Sequence, residues 1–228
     1  MVQRHKGGFV AALRLAAAIG LLGWSASAGA QSITEYPIPT SASGPNGIAA
    51  GPDGALWFTE SNANKIGRIT TAGVITEFGI PTPSSFPIYI TAGPDGALWF
   101  AENNGNKIGR ITTAGAVTEY PIPTSRSSPG TIAAGPDGAL WFTEGGSFNI
   151  QTGAVPGKIG RITTAGAVTA EYPLPAVSGP AAAAISIATG PDGALWFGAN
   201  SVNNLITSIN RITTSGTVTP YALLASCR

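Results

Sequence analysis

From residue 46 onward the chain alternates short apolar runs with clusters of Gly, Pro, Asp, Asn and Thr, and no window shows the 3.6-residue apolar period of a helix. The first stretch reads NGIAA (46–50), GPDG (51–54), ALWFTE (55–60), KIGRITTAG (65–73) and VITEF (74–78). Pro52, Asp53 and Gly54 supply the fixed φ, the side-chain acceptor and the positive-φ residue of a tight turn, so the flanking runs are predicted to pair as a hairpin. Thr71, Ala72 and Gly73 do the same for the next two runs. The stretch is therefore predicted to be a four-stranded antiparallel meander, with strands a, b, c and d.

In ALWFTE one face carries Ala55, Trp57 and Thr59 and the other carries Leu56 and Phe58, so both faces are apolar and both need a cover. The phrase GPDGALWF returns at Gly93, Gly135 and Gly190, at intervals of 42, 42 and 55 residues, and most of the excess falls in a longer b–c loop, Gly145 to Gly157. Short-stranded sheets repeated at this period and stacked face to face make a β-propeller. The fold class is thus all-β, a propeller of four-stranded antiparallel blades. Four complete meanders run to TVTPY (217–221), and ITEYPIPT (33–40) precedes them as a spare d-type strand. Trp57, Trp99, Trp141 and Trp196 are predicted in the core between blades, and Asp53, Asp95, Asp137 and Asp192 in the turns. Arg68, Arg110, Arg161 and Arg211 recur in all four units and are predicted to fasten blade to blade.

Residues 1–30 add a different segment. Arg4, Lys6 and Arg14 precede the apolar run Leu15 to Trp24, and Ala28-Gly29-Ala30 follows it, which is the pattern of a secretory signal peptide cut before Gln31. The apolar run is about half of the ~20 residues that span a bilayer. The expected organisation is a leader at 1–30 and a propeller domain at 31–228, secreted or periplasmic, with no membrane attachment after cleavage. Removing the three basic residues from 12 Lys+Arg leaves 9 against 11 Asp+Glu, so no basic surface recruits nucleic acid.

The sole cysteine, Cys227, leaves no internal disulfide, and the sole histidine, His5, leaves with the leader. Cys/His metal sites and Ser-His-Asp or Cys-His catalysis then lack their ligands and base, and no Gly-rich phosphate loop joins a strand to a helix. Carboxylate chemistry remains open.

The run NGIAAGPDGALWFTESNANKIGRITTAG, with EYPIPT, resembles the repeat of the virginiamycin B lyase (streptogramin lyase) family over essentially residues 31–221. The resemblance implies a seven-bladed ring, which at this period needs roughly 294 residues, so this chain is predicted to be reduced relative to it. It also implies elimination at the ester of cyclic streptogramin B depsipeptides. In that chemistry a histidine removes the α-proton, and glutamates hold a magnesium ion that stabilises the developing charge.

The family histidine stands at the start of strand a in a Pro-His-Gly-Ile pattern, and a metal-binding glutamate ends strand b of the same blade. Here the position resembling the base is Asn46. Reflection about the turn at Asp53 sets it opposite Glu60, and the same reflection sets Ile88 opposite Glu102, Gly130 opposite Glu144 and Ile185 opposite Ala199. Neither Asn nor Ile is a general base, so no catalytic residue is assigned. The second family glutamate falls at Gly44, Phe86, Ser128 or Ala183.

Glu60, Glu102 and Glu144 remain, expected near the loop rim. One reading gives them a polar ligand or a weakly bound Mg2+ or Ca2+; the other pairs them with Lys65, Lys107 and Lys158. Three functions stay open: a streptogramin B lyase, a propeller binding a small ligand or protein at its loop rim, and a shortened inactive copy. Open blade faces also point to a homodimer.

Overall fold

The computed structural model describes residues 33–145, 148–149, 153–154, 157–174, 183–200 and 206–222. The expected leader, its cut at Gln31 and Cys227 lie outside the described residues. The chain divides into Met1–Glu35 and Tyr36–Arg228, and every blade belongs to the second unit.

Among the described residues, sixteen strands form four antiparallel sheets, each in plain sequence order. Blade 1 is β1 (Pro45–Ala50), β2 (Leu56–Glu60), β3 (Lys65–Ile69) and β4 (Ile75–Gly79), and blade 2 is β5 (Pro87–Ala92), β6 (Leu98–Glu102), β7 (Lys107–Ile111) and β8 (Val117–Pro121). Blade 3 holds β9 (Pro129–Ala134) and β10 (Leu140–Glu144), then a small two-stranded hairpin of β11 (Phe148–Asn149) and β12 (Gly153–Ala154), then β13 (Lys158–Ile162) and β14 (Val168–Pro173). Blade 4 is β15 (Ala183–Thr189), β16 (Leu195–Asn200), β17 (Ile206–Ile212) and β18 (Val218–Ala222). The long b–c insertion thus carries a hairpin of its own where a plain loop is expected.

The Pro-Asp-Gly stretch turns as its residues dictate. Gly51 N–H donates to Ala55 C=O at 2.8 Å, Gly54 N–H donates to Gly51 C=O at 3.1 Å, and Gly54 sits at φ +75, which only glycine adopts without strain. Asp53 then organises the blade. Its Oδ1 accepts from Trp57 Nε1 at 3.0 Å and its Oδ2 from Arg68 Nε at 2.7 Å. The same pair of bonds recurs at Asp95, Asp137 and Asp192. Each arginine is therefore tied to the turn of its own blade. The expectation that these arginines fasten one blade to the next is corrected, because the turn places a carboxylate within reach and the guanidinium of Arg68, Arg110 and Arg161 covers the indole beside it.

The blades are joined by apolar faces of two kinds. Trp57, Ile66 and Ile80 of blade 1 pack against Ile90, Leu98, Phe100 and Ile111 of blade 2. Trp99, Ile108 and Ile122 meet Ile132, Leu140, Phe142 and Ile162, and Trp141, Ile159 and Leu174 meet Ile187, Leu195, Phe197 and Ile212. One face of each blade is built around tryptophan and the other around Leu and Phe, and the faces meet in that fixed order. This is the stacking of propeller blades, with burial of both faces as the driving term.

Polar links run alongside. Thr82, on the linker out of blade 1, bonds Glu119 and accepts from Lys107 of blade 2, and Thr124 bonds Glu171 and Lys158 of blade 3 in the same way. Asn64 Nδ2 donates to Ile80 and Thr82 carbonyls while its Oδ1 accepts from Ser85, and Asn106 repeats the pattern with Ile122, Thr124 and Ser127.

The spare strand expected at 33–40 is not a strand: residues 33–38 have no ladder partner. A d-type segment needs a c-type edge beside it, and Pro37 and Pro39 remove two donors. Its side chains nevertheless hold d-type places. Tyr36 lies on Gly73 as Phe78 lies on Gly115, and Thr40 bonds Glu77 and Lys65 as Thr82 bonds Glu119 and Lys107.

Candidate functional site

The a–b hairpin positions both candidate residues of blade 1. It does not fold by simple reflection. The register runs Ala50 to Leu56, Ala49 to Trp57 and Ile48 to Phe58, and then slips, so that Pro45, not Asn46, faces Glu60. Gly47 N–H donates to Thr59 Oγ1 at 2.9 Å at the slip. The extra residue is a β-bulge, which adds one residue to one strand and re-aims its neighbours. Blade 2 and blade 3 slip likewise, with Pro87 facing Glu102 and Pro129 facing Glu144, and in blade 4 Ala184 rather than Ile185 faces Ala199. All four expected pairings are therefore corrected by one residue.

The bulge separates the two groups. Asn46 is exposed and lines an open groove of about 320 Å3 with Tyr36, Ile38, Ile48, Phe58 and Ile69. Glu60 is fully buried. Gly44, where the resemblance places a second carboxylate, has φ +66, and a Cβ there would come within 2.6 Å of the Asn62 amide. The backbone at that point disfavours any longer residue.

The glutamates at the ends of strands b behave alike. Glu60, Glu102 and Glu144 are buried, and neither carboxyl oxygen of any of them has a hydrogen-bond partner. Lys65, Lys107 and Lys158 stand opposite them across the b–c pairs, yet the ammonium groups turn to strand d. Lys65 reaches Glu77 at 2.8 Å, Lys107 reaches Glu119 at 2.9 Å and Lys158 approaches Glu171 at 4.0 Å. The expected Glu60–Lys65 family of ion pairs is thus replaced. The d-strand carboxylates are partly exposed and also take the linker threonines, so a lysine there keeps its hydration on one side.

Burial decides the protonation of what is left. It pushes Glu102 up to about 8, with the Glu119 carboxylate adding to the shift and Lys107 and Ser85 opposing it. Glu144 is pushed up to about 8 by burial and by Glu171. Burial and Glu77 raise Glu60 as well. By contrast, Lys65 and Thr40 hold Glu77 down to about 2. The partial burial of Glu119 is outweighed by its bonds from Lys107 and Thr82, which hold it low. Blade 2 therefore keeps one neutral and one ionised carboxyl side by side.

A hard divalent cation needs several oxygens around one point. Glu60, Glu102 and Glu144 stand in three different sheets, and no group of three or more His, Cys, Asp or Glu side chains able to hold a metal ion occurs among the described residues. The neighbour of Glu60 is Glu77, whose oxygens already accept from Thr40 and Lys65. These residues do not fit a magnesium held by two glutamates.

Sequence reasoning overlooked Ser43 and Ser85, buried beside Glu60 and Glu102, and the d-strand glutamates themselves. Their signal was present. The letters Thr-Glu-Phe (76–78), Thr-Glu-Tyr (118–120) and Ala-Glu-Tyr (170–172) recur at the d-strand place of three successive units, displaced in the third by the long b–c loop.

A family model described as the virginiamycin B lyase family matches residues 19–156, more than half of the chain. The virginiamycin B lyase of Saccharopolyspora erythraea is 51% identical over 41 residues, 18% of this chain and 14% of that protein. The crystal structure of virginiamycin B lyase from Staphylococcus aureus is 45% identical, with a TM-score of 0.73 over 84% of this chain and 60% of that one. A catalytically inactive variant of the same Staphylococcus aureus enzyme, solved with quinupristin, is 43% identical, with a TM-score of 0.74 over 86% of this chain and 61% of that one. The chain spans about 60% of the length of the solved structures it matches and 14% of the curated relative.

Proposed function

The chain belongs to the virginiamycin B lyase family, and from that premise we propose that it is an exported binding propeller that does not linearise streptogramin B antibiotics. The observation that carries this reading is the bulge in blade 1. It sets Asn46 in an exposed groove and leaves Glu60 buried, opposite Pro45.

Proton abstraction next to a carbonyl needs a base within hydrogen-bond reach, and a positioned base contributes about 10² to 10⁴ in rate. Asn46 accepts no proton near neutrality, and the chain has no histidine after His5. Glu60 is shifted toward its neutral form by burial and does not line the groove. Binding is supported by the groove itself, whose walls are mostly apolar, with Asn46 and Tyr36 as the polar side chains in its lining.

The test is to incubate the purified chain with quinupristin and magnesium and to follow the linear product by chromatography. No product above the buffer rate is expected; linearisation abolished by Glu60→Gln would restore the lyase assignment. Export rests on the charge, apolar and small-residue zones of residues 1–30. Mass spectrometry of the exported protein should place its N-terminus at Gln31, and an uncleaved chain in the membrane fraction would count against it.

A further inference from the structure

The groove on blade 1 is half of a junction that the chain makes three times internally. At each internal junction the Leu/Phe face is covered: Leu98, Leu140 and Leu195 are all fully buried and Ile90 is 8% exposed. On blade 1 the equivalent Leu56 is 46% exposed and Ile48 is 62% exposed. The opposite half lies open on blade 4. Ile66, Ile108 and Ile159 are fully buried, but the equivalent Ile209 is 37% exposed, Tyr221 is 48% exposed and Trp196 is only half-buried. One molecule thus displays both halves of its own repeated interface, unjoined.

We propose that the occupant is a second copy of this chain, with the tryptophan face of blade 4 in each copy seated on the Leu/Phe face of blade 1 in the other. This rests on the reading of the blade 1 groove as a binding surface. Two such junctions related by a two-fold axis close a ring of eight blades, at the upper end of the usual range of 4 to 8. The contact is heterologous in chemistry and closed by symmetry, so it adds no free edge.

Each new junction would copy an existing one: Trp196 and Ile209 would stand to Ile48, Leu56 and Phe58 as Trp57 and Ile66 stand to Ile90, Leu98 and Phe100. Tyr36 already holds the place on Gly73 that an incoming d-strand aromatic would take. The strand that must yield is β18. Pro220 stands on β18 where Glu77 and Glu119 stand on β4 and β8, so β18 offers no carboxylate at that place, and Pro220 removes a donor. The 36–40 segment then serves as the outer element of the neighbour's blade 4.

Sedimentation and light scattering of the full chain at micromolar concentration should give a dimer. Leu56→Asp and Ile209→Asp should each sediment as monomers, because each spoils both junctions of a symmetric pair. An equimolar mixture of the two variants should recover dimers, since Leu56→Asp keeps a sound blade 4 and Ile209→Asp a sound blade 1. A wild-type monomer, or a dimer that survives Ile209→Asp, would overturn the proposal. A wild-type monomer that still binds the apolar dye ANS, with binding lost in Leu56→Asp, would overturn the dimer and leave the groove as a binding surface.

Discussion

Lys65 faces Glu60 across the β2–β3 pair, but it gives its hydrogen bonds to Glu77 and Thr40 and leaves both oxygens of Glu60 without a partner. Blades 2 and 3 repeat the choice with Lys107 and Lys158. Where a lysine could have neutralised a buried charge, burial instead raises all three carboxyls toward the protonated form.

Stability should therefore fall as the pH rises through neutrality. Glu102 and Glu144 are at about 8 in the folded chain against an ordinary 4.5, so the folded state holds protons that the unfolded state has lost. Their contribution is complete below about pH 4.5, declines by up to about 1.4 kcal/mol per pH unit for each group, and is gone above about pH 8. Asp53, Asp95 and Asp137 act in the opposite sense: burial would raise them, but hydrogen bonds from tryptophan and arginine outweigh it and hold them low, so their contribution is lost as the pH drops below about 3.8. Urea midpoints at pH 5 and pH 8 should differ in favour of pH 5, and Glu102→Gln with Glu144→Gln should flatten the slope. A wild-type midpoint that rises with pH over that interval would refute the assignment.

The two ends of the array should tolerate core damage differently. Trp99 is fully buried and stacks on Tyr120 at 5.6 Å, and Trp99→Ala is expected to cost about 3–5 kcal/mol. Trp196 makes the same stack on Tyr221 at 5.5 Å but with one side open. In a Leu56→Asp background, which keeps the chain monomeric, Trp196→Ala should cost less than half as much by chemical denaturation. Equal losses would mean that the blade 4 face is covered within one chain.

Placing a histidine at the family position should not create a lyase. Asn46 is exposed at a bulge, so Asn46→His is expected to leave stability nearly unchanged, within about 0.5 kcal/mol by thermal melting. The new ring would stand in the exposed groove beside a slipped register, with Glu60 below the surface. Chromatography of quinupristin treated with this variant and magnesium should show no linear product.

The blades were legible because two local signals agree. Pro-Asp-Gly fixes each a–b turn, and a strand apolar on both faces demands a sheet on either side. The register at Asn46 was not legible, because a bulge is one residue without its own composition, and counting outward from Asp53 misses it. The partner of each lysine was hidden for a different reason: Glu60 and Glu77 are both close to Lys65, and only the relative hydration of the two sites separates them. The segment at 33–40 carries the letters of a strand but lacks an edge to pair with, and pairing is a property of the neighbour.

Each apolar cluster joins blades that are adjacent in sequence, and Thr82 and Thr124 clasp the first two linkers to the blades that follow. Mechanically this is a row of hinged leaves in which load passes from one leaf to the next. A pull on the two termini of a single molecule would peel the terminal leaves, each backed by one neighbour, before the middle pair, each backed by two. Joined end to end in a ring, the same leaves have no first one to lift.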